Sequence, residues 1–399
     1  MKKLLTLALA LLSAAAQAQT HIRVWQNDES NRIKIANVGD MVFSQGTVTI
    51  KGTTYNTADI DSIIVVPEIT VAYSEGSASV YIPEAAAKDV TATVSGANVT
   101  ITNTNESNEM EFILSGTASN GSFTYNGSYK CTIELDGLSL TSTTACPMDI
   151  ECGKRVALVL DDGTTNSLTD GSSNPQKACL YCKGHVEMEG AGTLNITGNK
   201  NHALATKEYL QLKKSTGSLN ILAAANDGLH IGQYFQMNGG TLTIDANTLG
   251  DGVQVETASD EKENNGQMIL KGGTIRMDIN GEDCKGLKAD GLVSVSGGSI
   301  SINANGNGSR GIQTAGDMVI GEEDNPTSIT IAAKGARCTN SEDADDPHRC
   351  MGMKIDGDLT VNAGTVTVTN TGSKSRGIKV GGTYTKNGGT VSASITTSD

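Results

Sequence analysis

Apolar and polar residues alternate in short runs along most of the chain, and this alternation recurs at a nearly constant interval. Each repeat begins with an anchor, a small residue followed by an apolar one. Successive anchors lie 24, 25, 24, 34, 25, 41 and 25 residues apart. The anchors are Cys179-Leu180, Ala203-Leu204, Gly228-Leu229, Gly252-Val253, Gly286-Leu287, Gly311-Ile312, Gly352-Met353 and Gly377-Ile378. Alternation with a period of two indicates β-strands with one buried face.

Two further strands follow most anchors. An apolar pair such as Phe235 and Met237 comes first, and a third strand follows a glycine corner, as in Gly240-Thr241-Leu242. Three short strands in a repeat of about 25 residues predict an all-β, single-stranded parallel β-helix with coils about 4.8 Å apart. A propeller blade or a leucine-rich repeat has a different length and pattern. The side chains predicted to be buried in one coil are Leu229, Ile231, Phe235, Met237, Leu242 and Ile244.

The position of the repeat also predicts how the chain divides into segments. Residues 1–18 are predicted to be a signal peptide because Lys2-Lys3 precede an apolar run, which ends in small residues before a cleavage site after Ala18. Residues 19–67 are predicted to form a small N-terminal β module, residues 68–130 a β cap, and residues 131–399 the helix. Loop insertions near 257–266, 321–326 and 335–350 account for the two long intervals, since corner loops lengthen without disturbing stacked strands.

The net charge and the apolar runs of the chain limit where the protein can be located and what it can bind. The net charge is -14, which argues against nucleic acid and anionic membranes as partners. After the signal peptide there is no apolar run long enough to span a bilayer. We therefore expect an exported protein that is secreted, periplasmic or at the cell surface. No polar capping segment follows the last strand, Val391–Ile395, so we also expect self-association through the C-terminal coil edge.

Eight cysteines fit an oxidising compartment. Cys338 and Cys350 bracket the largest insertion, and we predict a disulfide between them. Cys152 and Cys182 are each expected three residues past an anchor, on the inward faces of adjacent coils. Stacked cysteines of this kind can form either a disulfide or a ladder of buried thiols.

A family resemblance rests on the repeat, on the motifs Asp227-Gly228-Leu229 and Asp251-Gly252-Val253, and on the Gly-Gly-Thr and Gly-Gly-Ser corners. Over roughly residues 70–399 the chain resembles bacterial carbohydrate-binding domains with a pectate-lyase-like, right-handed parallel β-helix. The resemblance implies binding of plant-type polysaccharides, polygalacturonate-like or cellulose, and calcium ions held on the helix. Later coils depart from the motif, because Lys285, Arg310, Met351 and Arg376 precede their anchors in place of Asp.

Acidic residues suggest where calcium binds. Asp227 and Asp251 occupy the same position in successive coils, with Glu256 and Asp283 nearby. Stacked carboxylates about 5 Å apart can converge on one Ca²⁺, which takes roughly 6–8 oxygen ligands. The alternative is that each Asp hydrogen-bonds within its own turn.

Basic and aromatic residues suggest where a glycan binds. Cations precede or follow the later anchors at one position per coil, which suits the carboxylates of an extended polyuronate, although a solvated face explains them equally well. These cations are Lys285, Lys288, Arg310, Lys354, Arg376 and Lys379. Tyr209 and Tyr234 also share one position and are predicted to form a stacking platform for sugar rings.

Polysaccharide binding without catalysis is the function that these observations favour. A polyuronate lyase would need a base such as Arg310 or Arg376 beside calcium, and no local lyase pattern surrounds either residue. A structural surface protein or adhesin would use the same repeat without a site. The histidines are scattered along the sequence and suggest no catalytic arrangement. They are His21, His185, His202, His230 and His348.

Overall fold

A computed structural model of the chain describes residues 21–26, 29–34, 41–65, 68–245, 247–259, 263–339 and 347–397. The predicted signal peptide and part of the predicted loop insertions lie outside the described residues. Every regular element in the described part is a β-strand, and no helix there is long and apolar enough to cross a membrane. The strands form a parallel β-solenoid of about 11 turns with coils about 25 residues apart, which confirms the predicted fold.

The N-terminal strands form two small antiparallel sheets with a core of their own. One sheet consists of β1 (His21–Gln26), β2 (Glu29–Lys34) and β6 (Ile60–Val65), and the other of β3 (Val42–Ser44), β4 (Thr47–Ile50) and β5 (Thr53–Asn56).

Two antiparallel pairs follow, β7 (Glu68–Ser74) with β8 (Ser77–Tyr81) and β9 (Val90–Ser95) with β10 (Asn98–Asn103). The next strands are β11 (Met110–Ala118) and β12 (Ser122–Gly127). Strand β7 already pairs parallel with β11, and β10 pairs parallel with β12. Parallel stacking therefore begins upstream of Cys131, within the segment that the sequence assigns to the cap.

The solenoid has three faces, each made of one strand per coil. Face 1 belongs to a thirteen-stranded sheet that also includes β9 and β10. Its remaining strands are β12, β14 (Met148–Cys152), β17 (Ala178–Cys182), β20 (His202–Thr206), β23 (Leu229–Ile231), β26 (Val253–Val255), β29 (Lys285–Ala289), β32 (Arg310–Thr314), β35 (Met351–Ile355), β38 (Arg376–Val380) and β41 (Ile395–Thr397).

Faces 2 and 3 diverge from the long strand β13 (Cys131–Ser142). The first half of β13 pairs with β15 (Arg155–Leu160), and its second half pairs with β16 (Thr165–Asp170). Face 2 continues through β15 (Arg155–Leu160), β18 (His185–Glu189), β21 (Leu210–Leu212), β24 (Phe235–Met237), β27 (Met268–Leu270), β30 (Val293–Val295), β33 (Met318–Ile320), β36 (Leu359–Val361) and β39 (Tyr384–Lys386). Face 3 continues through β16 (Thr165–Asp170), β19 (Thr193–Gly198), β22 (Ser218–Ala224), β25 (Thr241–Ile244), β28 (Thr274–Ile279), β31 (Gly298–Ala304), β34 (Thr327–Ala333), β37 (Thr365–Asn370) and β40 (Thr390–Ser392).

The predicted anchors are aligned on face 1. The apolar residue of each anchor pairs with that of the next coil, from Leu180 with Leu204 through to Met353 with Ile378. The six side chains predicted to be buried between Leu229 and Ile244 are all buried. Glycine corners such as Gly298 and Gly364 have φ values of 87° and 85°, in the left-handed region that favours glycine.

The predicted disulfide between Cys338 and Cys350 does not form, and all eight cysteines are free. The Cys338 N–H donates to the His348 carbonyl at 2.8 Å and closes the loop through the backbone. The Cys350 sulfur lies beside the Ala304 carbonyl, 3.5 Å away, and the Cys338 sulfur lies near Gly308. The two thiols therefore have different neighbours.

Cys152 and Cys182 also differ from the prediction, because Ile150 rather than Cys152 pairs with Cys182. Burial raises the pKa of the Cys182 thiol to about 12. A thiol with this pKa stays protonated at neutral pH and is a poor nucleophile.

Candidate functional site

The outward side chains of face 1 form two rows that run from coil to coil. The leading row consists of the residues just before the anchors and includes His202, Asp227, Asp251, Lys285, Arg310, Met351 and Arg376. The central row follows the anchors and consists of Thr124, Asp149, Tyr181, Ala205, His230, Gln254, Lys288, Gln313, Lys354, Lys379 and Thr396. Tyr181 and Ala205 are buried, whereas the central row from His230 to Lys379 is partly exposed.

Buried aspartates of the leading row connect successive coils. Asp227 Oδ1 accepts a hydrogen bond from the Asp251 N–H at 2.9 Å, and Asp251 Oδ1 accepts one from the Lys285 N–H at 2.7 Å. Each carboxylate therefore caps the backbone of the next coil rather than its own turn. This arrangement explains why an aspartate precedes these anchors without invoking an ion.

Two histidines converge on Asp227. Its Oδ2 atom lies 3.1 Å from Nδ1 of His202 in the preceding coil and 3.1 Å from Nδ1 of His230. The two imidazole rings stack with their centroids 4.2 Å apart. Burial raises the pKa of Asp227, but contacts with His202 and His230 outweigh burial and hold that pKa well below its usual value. In Asp251 burial has the larger effect and raises the pKa, although Lys285 and Lys288 oppose it.

The four predicted calcium ligands do not converge on one point. Asp251 Oδ2 lies 3.3 Å from Lys288 Nζ, and Glu256 Oε2 lies 3.5 Å from His230 Nε2. Asp283 contacts the His348 imidazole at 2.8 Å and the Arg310 guanidinium at 3.5 Å. A calcium ion prefers an oxygen cage, and here the carboxylates face nitrogen atoms of basic side chains and backbone. As arranged, these residues do not fit that ion.

The six predicted basic residues fall into two groups. Lys285, Lys288 and Arg310 lie within 3.5 Å of Asp283 or Asp251, and Arg310 is buried. Lys354 lies 3.1 Å from Asp356. Within the described part of the chain, Arg376 and Lys379 form no ion pair, and both are partly exposed. Four of the six predicted cations therefore lie next to a carboxylate, and within the described residues only Arg376 and Lys379, in the last of these coils, remain unpaired.

The two predicted tyrosines lie on the surface outside face 1, where they stack on each other. The ring centroids of Tyr209 and Tyr234 are 4.6 Å apart, and His185 stacks on the other face of Tyr209 at 4.5 Å. The Tyr209 hydroxyl donates to Glu187 Oε1 at 2.9 Å. Because both faces of Tyr209 are covered, this ring presents only its edge to solvent. A sugar ring could therefore not stack on Tyr209, and the platform that the sequence suggests stays a prediction for Tyr234.

Two grooves lie next to charged residues. A groove of about 450 Å³ is lined by His202, Asn226, Asp227, His230, Leu249, Gly250, Asp251, Gln254, Glu256 and Cys284. Another, of about 570 Å³, lies towards the N-terminal coils and includes Glu151, Lys154 and Lys183 in its lining. Close to the second groove, burial, reinforced by the charge of Glu151, raises the pKa of Asp149 to about 6, against a hydrogen bond from Gln176.

The histidines are functional candidates that sequence reasoning missed. His202 precedes its anchor in the same position as Asp227 and Asp251, and His230 follows its anchor in the same position as Lys288. Aligning the histidines on the repeat, rather than along the linear sequence, would have placed them together.

Comparisons with known proteins agree with this architecture. A polysaccharide lyase-like protein from C. thermocellum, solved as a gadolinium derivative, superposes with a TM-score of 0.50 and 18% identity. The match covers 66% of this chain and 96% of that one, and at this identity it shows the fold alone.

A carbohydrate-binding domain-containing protein of Acetivibrio thermocellus is 28% identical over 92 residues, which is 21% of this chain. The aligned region spans about a third, 32%, of the length of that curated relative. A family model described as carbohydrate-binding domain-containing protein matches residues 95–399. Because that match takes in more than half of the sequence, this chain belongs to the family of carbohydrate-binding domain-containing proteins.

Proposed function

We propose that this protein binds an extended acidic polysaccharide along the outward surface of face 1. The observation that carries the proposal is the central row, which presents one side chain per coil from His230 to Lys379. Adjacent strands lie about 4.8 Å apart. A ligand with a repeating structure can therefore make similar contacts with several coils, and weak contacts add up along its length.

The C-terminal half of face 1 is where a uronate carboxylate would bind. Lys354 and Lys379 occupy adjacent strands of the central row, and Arg376 lies one row away. Two like charges on neighbouring strands repel each other unless an anion lies near them, and within the described residues Asp356 supplies one only for Lys354, 3.1 Å away. A guanidinium group can also bind a carboxylate through two parallel hydrogen bonds. Arg376 and Lys379 have no acidic partner in the described residues, so binding a uronate would not first require an internal ion pair to break.

Affinity gel electrophoresis through immobilised polygalacturonate tests this proposal. We expect the double variant Arg376→Glu with Lys379→Glu to lose retardation, whereas Lys334→Glu keeps it. Lys334 is an exposed residue that hydrogen-bonds Asn303, and it serves as a control with the same type of charge reversal. Retardation of the unaltered protein should decrease as salt increases, because exposed charges are screened. Equal retardation of all three proteins would contradict the proposal.

A role for calcium remains a prediction. Asp227, Asp251 and Asp283 would have to exchange their present nitrogen partners for the ion. The same gel with added calcium or with a calcium chelator tests whether binding depends on the ion. Replacing polygalacturonate by a neutral cellulose derivative tests the preference for acidic glycans.

Catalysis is the competing function. Of the two arginines proposed as a lyase base, Arg310 is buried and donates a hydrogen bond to Gln313 Oε1 at 2.7 Å, which makes it a poor base. Arg376 remains partly exposed. A lyase would release unsaturated uronates that absorb ultraviolet light. We propose that the protein binds without releasing them, and absorbance that rises with time and is lost in Arg376→Gln would indicate a lyase instead.

A structural or adhesive surface protein would bind none of these glycans. The proposed export of the chain agrees with either role, since an extracellular polysaccharide is reached only outside the cytoplasm. Fractionation of the source cells, followed by N-terminal sequencing of the mature chain, tests export and cleavage after Ala18 together.

A further inference from the structure

We propose that His202, Asp227 and His230 form a binding site for a divalent transition-metal ion, with zinc as the probe. These three residues are one of two sets of His, Cys, Asp or Glu in the described residues whose possible ligand atoms all lie within 4.8 Å of one another. The site lies on the surface used by the proposed function, but its test requires no glycan.

The ligand geometry suits a small tetrahedral ion. Both Nδ1 atoms lie 3.1 Å from the same Asp227 oxygen, Oδ2. A tetrahedral zinc ion bound at ~2.0–2.2 Å from each nitrogen or oxygen places neighbouring ligand atoms roughly 3.3–3.6 Å apart. The two nitrogen–oxygen separations are slightly shorter than that, and the two Nδ1 atoms lie within 4.8 Å of each other, so the side chains would have to move apart only slightly around the ion.

His202 provides independent evidence for a ligand. The residue is 6% exposed, and its Nδ1 atom is buried without a hydrogen bond despite the nearby carboxylate. Asp227 Oδ2 lies 3.1 Å from this atom, but not in the geometry of a hydrogen bond. Native proteins rarely leave a buried polar atom without a well-formed hydrogen bond. A metal ion that accepts the Nδ1 lone pair would satisfy this atom.

Neighbouring residues already orient the other ligands. Asp227 Oδ1 accepts the Asp251 N–H, which leaves Oδ2 facing the imidazoles. Glu256 Oε2 lies 3.5 Å from His230 Nε2, and Gln254 Nε2 donates to Glu256 Oε1 at 2.8 Å. Without an ion, His230 Nδ1 is hydrogen-bonded to Asp227 Oδ2 at 3.1 Å. In the other tautomer the proton lies on Nε2, facing Glu256, and the Nδ1 lone pair can bind a metal that takes the place of this hydrogen bond. Carboxylates commonly orient metal-binding histidines in this way.

The chemistry of the donor set separates this proposal from the calcium prediction. Imidazole nitrogen suits zinc, copper, iron and nickel, whereas calcium prefers oxygen ligands. Three protein ligands also leave a coordination position for water or another ligand. That position would face the groove lined by Asn226, Leu249 and Gln254.

Isothermal titration of the full, chelator-stripped chain with zinc alone tests the site. We expect one zinc ion per chain, no comparable heat with calcium, and loss of binding in His202→Gln and in His230→Gln. The control His185→Gln alters a histidine that stacks on Tyr209 outside the cluster and should bind as the unaltered chain does. Glu256→Gln should bind roughly 10- to 100-fold more weakly, as expected for a residue that positions a ligand.

A second measurement keeps the proposal testable if His202→Gln fails to fold. Cobalt bound to the unaltered chain should give the visible absorption of a tetrahedral site, and His230→Gln should abolish that absorption. The proposal is wrong if zinc binding survives both histidine substitutions. It is also wrong if binding depends instead on Asp136, a member of the other, entirely acidic set, and is lost in Asp136→Asn.

Discussion

The anchor glycines lie where the backbones of neighbouring coils come very close on face 1. A Cβ atom added at Gly252 would be 2.6 Å from the Gly286 carbonyl oxygen, and one added at Gly286 would be 2.6 Å from the Gly311 carbonyl oxygen. Both obstacles are backbone atoms in a hydrogen-bonded sheet, so they cannot rotate away. This contact explains why these anchors begin with glycine, independently of any ligand.

Replacing an anchor glycine should therefore destabilise the solenoid. In Gly286→Ala the new methyl group would meet both the Gly311 carbonyl and the Ile302 side chain, 2.9 Å away. Overpacking of this kind costs about 1–3 kcal/mol. We expect a lower midpoint in urea for Gly286→Ala than for the control Gly153→Ala, whose added Cβ meets nothing within 4 Å. Equal midpoints for these two variants would show that the coils can separate to admit the methyl group.

Asp149 should make stability depend on pH. Burial and the charge of Glu151 raise its pKa to about 6, against a hydrogen bond from Gln176. The unfolded chain has an ordinary aspartate pKa of about 3.9, so folding favours the protonated form. Ionising the folded chain's Asp149 therefore lowers the free energy of unfolding. This loss of stability is absent below about pH 3.9, grows as the pH rises to about 6, and is constant above pH 6.

The variant Asp149→Asn removes this penalty. We expect its melting temperature, relative to that of the unaltered chain, to increase between about pH 4 and pH 6 and to level off above pH 6. Asp324→Asn, which alters an exposed aspartate, controls for a general change in net charge. A difference that does not vary with pH would contradict the prediction.

At the scale of the strand, the N-terminal sheet contacts the solenoid through a buried ion cluster. Arg23 in β1 donates through Nε to Glu111 Oε1 at 2.7 Å and through Nη2 to Thr132 Oγ1 at 3.0 Å. Glu109 lies 3.8 Å from the same guanidinium and also binds Arg155 at 2.7 Å. One arginine thus joins β1 to strands β11 and β13.

Removing this arginine should loosen the attachment. Arg23→Met keeps much of the side-chain length but removes the charge beside two buried carboxylates, and breaking a buried ion pair costs about 3–5 kcal/mol. We expect faster hydrogen exchange in residues 21–26 and a lower midpoint in urea than for Arg276→Met on face 3. For Arg23→Lys we expect an exchange rate and a urea midpoint between those of Arg23→Met and the unaltered chain. Lysine keeps the positive charge but lacks the planar guanidinium group, which binds a carboxylate through two hydrogen bonds. Unchanged exchange in Arg23→Met would mean that the apolar contacts of the N-terminal sheet suffice for attachment.

The strand register shows how far the repeat alone specifies the fold. From Leu180 to Ile378 the predicted anchors align, because their spacing is regular apart from loop insertions. One coil earlier the register differs: Met148 pairs with Leu180, whereas stacking Cys152 on Cys182 would require Ile150 to pair with Leu180. A shift of two residues leaves the same alternate side chains facing inward, so the apolar pattern cannot distinguish the two registers. The interval between these two coils is also irregular, so the spacing of the repeat does not determine the register either.

The partners of the charged side chains could be predicted even less. The repeat correctly places Asp227 and Asp251 in one row, but it does not specify where each carboxylate points. Asp227 faces two imidazoles, whereas Asp251 faces Lys288. These partners depend on the directions of the side chains, which the sequence repeat does not specify. Whether a row of acids recruits an ion or caps the next coil is therefore decided only by three-dimensional geometry.

At the scale of the whole molecule, charge changes along face 1 although the chain as a whole is acidic. Asp149 and Glu151 lie near one end, histidines and aspartates in the middle, and Lys354 and Lys379 near the other end. At the N-terminal end Lys183 lies 3.5 Å from Glu151, whereas at the C-terminal end Arg376 and Lys379 have no acidic partner in the described residues. A bound acidic glycan should therefore be centred on the C-terminal half of the face.

The final prediction concerns the last coil in the described residues. Tyr384, Val391 and Ile395 pack against the core but are only partly buried, whereas their partners one coil earlier, Leu359, Val366 and Ile378, are buried. Strand β41 lies at one edge of the thirteen-stranded sheet and pairs with β38. Within the described residues no strand pairs with the other side of β41, and such an edge beside apolar side chains favours pairing with another chain.

We expect sedimentation velocity to show association that increases with protein concentration and is lost in Val391→Lys with Ile395→Lys. The paired control is Thr390→Lys with Thr385→Lys, which adds the same charge at exposed positions of β40 and β39. If the added lysines act only through charge repulsion, association should weaken in both double variants. If the chains dock through the apolar end of the last coil, association should be lost only in Val391→Lys with Ile395→Lys. A chain that stays monomeric at every concentration, or pairs that behave alike, would show that the last coil does not mediate self-association.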